Sequence, residues 1–279
     1  MSEHAYFSRY NTAEFDEPFY NGRPQRVLII AFTPRVGSTL LVRGLMSIDA
    51  IAASTEYFHP VHRADFEARW GTLSDQAYLE KLMQYRTKTN GLFAVKAHYT
   101  HFTLYAPYLE SYNLHFISVQ RKDRVRQAVS LFKAVNTKAW SSEMAPYKEL
   151  TESEYDFCTI RDNIEYINSL YEQWEEYYSK NSYMQKRIYY EDMDNDYRGV
   201  LFDTANNFLG MSVCRDSIPA PSLKQQRDAL TEYYVARFYA NLEQNQADNQ
   251  LPRLGRLQAW YEKFLVRIKS ILSARQHDM

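Results

Sequence analysis

The chain of 279 residues has little cysteine, glycine or proline: two, eight and nine residues respectively. Cys158 and Cys214 stand far apart and in no metal-type spacing, which argues against a disulfide framework and for a reducing compartment. His59 and His62 flank Pro60 without a third ligand at metal spacing, so no metal is expected. There is no internal repeat and no low-complexity tract. No apolar run approaches the roughly 18 residues of a membrane span. The first residues, MSEHAYFSRYNTAEFDEPFY, lack the basic start and apolar core of a signal peptide. Charge of one sign is also missing: 33 basic residues oppose 34 acidic ones, for a net charge of −1. That balance excludes a general attraction to nucleic acid or to acidic membrane, so any basic function is local. The expectation is a soluble, cytoplasmic protein.

What the chain does have is apolar and aromatic residues, at 45% and 15%, with 24 tyrosines among them. That is enough to fill the core of one α/β domain and leave rings to stack on sugars or bases. Four short runs read as strands: VLIIAF (27–32), GLFAVKAHY (91–99), LHFISVQ (114–120) and RIYYEDM (187–193). Each is apolar on both faces, as in a buried parallel sheet. Between them, Leu40, Leu41, Gly44, Leu45 and Ile48 share one helical face. Val125, Ala128, Val129, Phe132 and Val135 share another, and Ile164, Ile167, Leu170, Tyr171 and Trp174 a third. Alternating strands and helices predict a three-layer α/β fold with a central, mainly parallel sheet, as a single domain over 1–279. Residues 1–25 read as an irregular lead-in and 236–279 as a helical C-terminal extension, its last helix carried by Leu257, Trp260, Tyr261, Phe264, Ile268 and Ile271. That helix packs on the core or against a partner subunit, which leaves a homodimer open. Residues 141–156 lack periodicity and read as a loop over a site.

The informative stretch is VLIIAFTPRVGSTLLVRGL (27–45), a strand, a tight turn and a helix. In an open parallel sheet, ligands sit beyond the carboxyl ends of the strands. Amides of Val36, Gly37, Ser38 and Thr39 would converge there on an anion, aided by the helix N-terminus. A nucleotide phosphate loop requires G-x-x-x-x-G-K-[ST]. Here Phe32 replaces the first glycine, Ser38 replaces the lysine, and the positive charge has moved to Arg35. A group less charged than a metal-bound triphosphate suits this turn.

The turn P-R-V-G-S-T-L-L, Pro34 to Leu41, resembles the 5′-phosphosulfate loop of sulfotransferases, above all the bacterial trehalose 2-sulfotransferase-like group. The likeness continues in order with Glu56-Tyr-Phe, Gln120-Arg121-Lys122-Asp123 to Ser130, FKAVNTKAW ending at Trp140, the strand Ile188-Tyr-Tyr-Glu-Asp-Met, and Pro221-Ser-Leu-Lys-Gln-Gln-Arg-Asp. Together these cover about residues 27–235. The resemblance implies a P-loop-like sulfotransferase fold, 3′-phosphoadenosine 5′-phosphosulfate (PAPS) as donor, the bisphosphate PAP as product, no metal, and a hydroxyl of a carbohydrate or glycolipid as acceptor. It implies donor contacts from Pro34, Arg35, Val36, Gly37, Ser38, Thr39 and Leu40, and from Gln226 and Arg227 in the late segment. Arg121 and Ser130 would share the 3′-phosphate, an arginine fork and a hydroxyl being suited to it.

An alcohol acceptor needs a general base. Glu56 matches the base position of the trehalose-type enzymes, and beside Tyr57 and Phe58 it is expected to carry a raised pKa. Lys96-Ala-His98 resembles the Lys-x-His of animal cytosolic sulfotransferases, in which the histidine is the base. Glu56 is preferred, with His98 second or orienting the acceptor, Lys96 serving the bridging oxygen, and Tyr57 and Trp140 lining the acceptor. Two other readings stand beside this one. A kinase would use IYYED as a metal-binding strand. A non-catalytic nucleotide or glycan binder would need Arg35, Arg121 and Ser130 but neither Glu56 nor His98.

Overall fold

The computed structural model describes residues 3–181 and 183–247. The chain opens with helix α1 (Glu3–Ser8) and a 3-10 turn at Ala13–Phe15, so the lead-in is partly helical. Strand β1 (Arg26–Phe32) follows, rich in β-branched residues, and then α2 (Ser38–Ser47). Three helices and a strand come next: α3 (Pro60–Trp70), α4 (Asp75–Arg86), β2 (Leu92–His98) and α5 (Tyr99–Leu109). Pro60 fits the first turn of α3, where no amide is needed, and the Ser74 hydroxyl caps α4 by accepting from Ala77 N–H at 3.2 Å. After β3 (Leu114–Gln120) come α6 (Arg124–Thr137) and the long α7 (Phe157–Ser179). Strand β4 (Met184–Tyr189) leads into α8 (Tyr190–Asn195), α9 (Tyr197–Asp203) and, last, α10 (Ala229–Ala247).

The four strands are all parallel in the order β2-β1-β3-β4. Ile29 of β1 sits between Val95 of β2 and Phe116 of β3. Successive residues of a strand face opposite ways. Val27, Ile29 and Ala31 join Phe93, Val95, Leu114 and Phe116 in one core with Phe66, Leu82, Phe102 and Trp174 from the helices. Leu28 and Ile30, on the other face, are also fully buried. The sheet is therefore covered on both sides, as the apolar runs predict.

Strand β4 departs from that prediction. It starts at Met184 and ends at Tyr189, and Tyr190 to Asn195 are helical. As an edge strand it has only one buried residue, Ile188, so it carries no continuous apolar run. The acidic pair Glu191 and Asp192 falls in the first turn of α8, where the helix dipole favours negative charge.

The contacts group the residues into two compact units. One comprises the chain up to Lys122, with Ser141–Ala145 and Tyr171–Gln226; the other comprises Asp123–Trp140, Pro146–Leu170 and the chain from Arg227. The first unit contains the whole sheet. The second is helical, and in it Tyr234 donates to the Thr151 carbonyl at 2.6 Å while Phe157 stacks on Phe238 at 5.0 Å. Residues 236–247 continue α10, whereas the helix expected at 257–271 lies outside the described residues.

Candidate active site

Strands β1 and β3 are neighbours whose onward connections lead to opposite edges of the sheet, to β2 and to β4. Such a switch point opens a crevice beyond the carboxyl ends of the two strands. The turn after β1 and Arg121 after β3 belong to that crevice. Within the turn, Arg35 and Gly37 both take the left-handed conformation, at φ 67° and 80°. Gly37 is required twice over, since a Cβ there would lie 2.7 Å from the ring of Tyr190. Leu41 N–H donates to the Gly37 carbonyl at 3.1 Å, which starts α2. The first amides of a helix have no intrahelical acceptor, and here they belong to Ser38, Thr39 and Leu40.

Two guanidinium groups meet at this turn. Arg121 donates to the carbonyl of Arg35 at 3.4 Å and lies 4.7 Å from the ring centroid of Tyr190. Arg35 donates to the side-chain carbonyl of Gln226. Burial, and after it the like charge of Arg121, lowers the Arg35 pKa to about 10. Two cations that make each other more costly at a strand end are a site that an anion completes.

Lys96, on β2, links the turn to the candidate base. Its ammonium lies 3.0 Å from Glu56 Oε1, donates to Thr39 Oγ1 at 3.0 Å, and sits 4.9 Å from the Phe32 ring centroid. Burial pushes the Glu56 carboxyl up, but Lys96, then His59 and His62, override that and bring it to about 2. The expectation of a raised pKa is thereby corrected. Tyr57 and Phe58 are its sequence neighbours, yet a cation from another strand decides its charge. Tyr57 is fully buried behind it, its hydroxyl donating to the Ala53 carbonyl and its own carbonyl accepting from Tyr78 at 2.9 Å.

His98 is buried, and that burial lowers its pKa to about 4 against the pull of Glu56, so it is neutral at pH 7. It does not stand alone. His59, His62 and His101 join it, four of the seven histidines of the chain, with ring centroids 4.7 Å apart for His59 and His101 and 5.8 Å for His98 and His101. Sequence reasoning gave a role to His98 alone and weighed His59 and His62 only as metal ligands. The repeated H-x-x-H at 59–62 and 98–101 is the one signal that was there to find.

Tyr190 is a second omission, as the residue that packs under both Gly37 and Arg121. The acids beside it are both engaged by Lys122. Glu191 accepts from the Lys122 amide at 3.0 and 3.1 Å, and Asp192 pairs with the Lys122 ammonium at 2.7 Å. Among the described residues no group of three His, Cys, Asp or Glu is placed to hold a metal, and no helix is long and apolar enough to cross a membrane. Ser130 and Trp140 belong to the second unit, as does Arg227, which is exposed and pairs with Glu232 at 2.9 Å. Their assignment to donor and acceptor rests on the motifs alone.

Residues 112–241 match the family model described as Stf0 sulphotransferase. That stretch includes β3, Arg121, α6 and the Tyr-Glu-Asp segment, and there the sulfotransferase resemblance read from the motifs holds. No curated protein gives a significant match. Among solved structures the chain is similar to a sulfotransferase from Alicyclobacillus acidocaldarius, at 15% identity over 81% of this chain and 95% of that one, with a TM-score of 0.44. It is also similar to the sulfotransferase STF9 from Mycobacterium avium, at 14% identity over 86% and 72%, TM-score 0.43. A third is a retinol dehydratase in complex with androsterone and inactive cofactor PAP, at 17% identity over 84% and 70%, TM-score 0.40.

Proposed function

We propose that the chain, a sulfotransferase by the match over residues 112–241, uses PAPS to sulfate a hydroxyl of a carbohydrate or glycolipid acceptor, with Glu56 as general base. One observation carries the reading: a single ammonium, Lys96, touches both Thr39 of the anion turn and Glu56. Donor and acceptor would have to meet along that line. The residues fit an anionic donor, because Arg35 and Arg121 concentrate positive charge at the turn, where burial and then Arg121 depress the Arg35 pKa.

When bound, the donor supplies a sulfuryl group whose bond to the phosphate oxygen breaks as a bond to the acceptor oxygen forms. The rest falls to the protein. Arg35 and the amides of Ser38 and Thr39 offset negative charge on the phosphate side, and a well-placed donor of this kind contributes about 3 kcal/mol. Glu56 accepts the proton of the acceptor hydroxyl. As found, it is a weak base, since Lys96 holds it at about 2. A negative group beside Thr39 draws the Lys96 ammonium from Glu56, and the carboxylate then recovers basicity at the moment it is needed. His98, neutral and buried, is the second candidate for the proton or orients the acceptor. Glu191 and Asp192, the acids a kinase would use, are engaged with Lys122, which supports sulfuryl transfer over the kinase.

Calorimetric titration with adenosine 3′,5′-bisphosphate and with Mg-ATP tests the reading. Binding of the bisphosphate without divalent metal, at least about tenfold tighter than Mg-ATP, is expected. The reverse preference would sink it and restore the kinase.

A further inference from the structure

Asn11 belongs to the lead-in before β1, yet it is buried and held from several sides. Its backbone N–H donates to the Ser8 carbonyl at 2.9 Å, and its own carbonyl accepts from Arg69 at 2.7 Å. Its side-chain nitrogen lies 2.7 Å from Asp65 Oδ2 and 2.9 Å from His62 Nδ1. The same Asp65 oxygen accepts from the Ser8 hydroxyl at 2.6 Å. These contacts fix where the proton of His62 sits. A carboxylate accepts and does not donate, so the part of Asn11 that meets Asp65 is its NH2 group. One N–H of that group goes to Asp65 and the other to His62, while the amide oxygen is farther from the ring nitrogen, at 3.3 Å. Nδ1 of His62 therefore accepts, and a neutral imidazole in that position carries its proton on Nε2.

The surroundings show why that matters. His62 lies on α3 one turn before Asp65 and in the field of Glu56, and both carboxyl groups favour a charged ring. Burial opposes them, as do His59 and Lys96, and His101 of α5 also lies within reach. Burial thus sets the charge of the ring, and Asn11 decides which nitrogen is open to a proton. With Asn11 in place, the carboxylate of Asp65 meets an amide and not an imidazole. A charged His62 would act on Glu56 as a second cation beside Lys96, and one that a bound anion at Thr39 does not draw away.

We infer that Asn11 is a positioning residue for the reaction: it holds His62 as the neutral Nε2–H tautomer and so keeps an imidazolium away from Glu56. The inference rests on Glu56 as the base and deepens that reading. It brings the lead-in into the working machinery, through a residue that touches neither donor nor acceptor.

Ring-nitrogen NMR of the nucleotide-free wild type at pH 7 is the first test. A bare Nδ1 and a protonated Nε2 are expected at His62. A proton on Nδ1, as the other tautomer or as the imidazolium, overturns the inference. Asn11→Asp then puts an acceptor where the donor was. Its His62 is expected to take a proton on Nδ1 and to charge at a pH higher by at least about one unit. Adding Glu56→Gln to that variant is expected to bring the midpoint back down, because Glu56 favours the charged ring. A midpoint indifferent to Glu56 separates the two residues and overturns the inference. The rate of PAP formation by Asn11→Asp is expected to fall about tenfold or more, with bisphosphate affinity within about twofold of wild type. A charged His62 with an unimpaired rate also overturns it. Should Asn11→Asp fail to fold, Asp65→Asn frees the amide to turn over, and Nδ1–H is expected in part of the population; an unchanged ring there overturns it equally. Failure of the wild type to bind the bisphosphate removes the transfer reading, while the ring signatures and the Glu56→Gln comparison still decide Asn11.

Discussion

The two ends of the crevice are built from opposite electrostatic choices. Around the turn after β1, Arg35 and Arg121 leave positive charge concentrated, and burial first and then Arg121 lower the Arg35 pKa. Around Glu56 the charges cancel against Lys96, and four histidines are kept neutral by burial. Lys96 touches both ends within 3.0 Å. The contrast matches what each end would hold: a polyanion needs cations that water has not screened, whereas an uncharged alcohol needs donors and acceptors without net charge.

Removing the base breaks the contrast most severely. Glu56→Gln is expected to lower the rate of PAP formation by about a thousandfold, with bisphosphate affinity within about twofold of wild type. A loss confined to nucleotide binding would move Glu56 to the donor end. Arg121→Ala acts on the other end, and loss of a charged donor of this kind costs about 2 kcal/mol, or about thirtyfold in bisphosphate affinity. The variant's titration is expected to flatten less with added salt, and unchanged affinity would remove Arg121 from the donor site.

Acid sharpens the comparison with a smaller effect. In the unfolded chain histidines charge below about 6.5. Folded, His62 and His98 charge only near 4 and His101 near 3, so between these values the unfolded state binds more protons. Stability is therefore expected to fall as pH drops from about 6.5 towards 4. Glu56, lowered to about 2, adds a further loss from about 4.5 downward. Melting curves across that range should decline by several degrees, and less so in His101→Phe. A flat profile would mean that the histidines are solvated.

The anion turn was largely legible in the sequence and the surroundings of Glu56 were not. Strands β1, β2 and β3 and the Pro34–Leu40 turn are local features, written in consecutive β-branched residues and one glycine. The strand β4 was misread because an edge strand needs no apolar run, and Met184 to Arg187 supply none. The histidine cluster joins residues as far apart as His59 and His101, and only folding makes neighbours of the N-cap of α3 and the first turn of α5. The charge on Glu56 was misjudged for the same reason. Its sequence neighbours are aromatic, while its controlling neighbour, Lys96, comes from a strand forty residues later.

The assembly of the first unit from three separate segments has a bearing on synthesis. The anion turn leaves the ribosome early, yet Arg121, Tyr190 and Gln226, which brace it, emerge much later. A growing chain therefore carries the loop sequence long before it carries the residues that brace it. The braced turn is thus a product of three distant parts of the sequence and not of the loop alone.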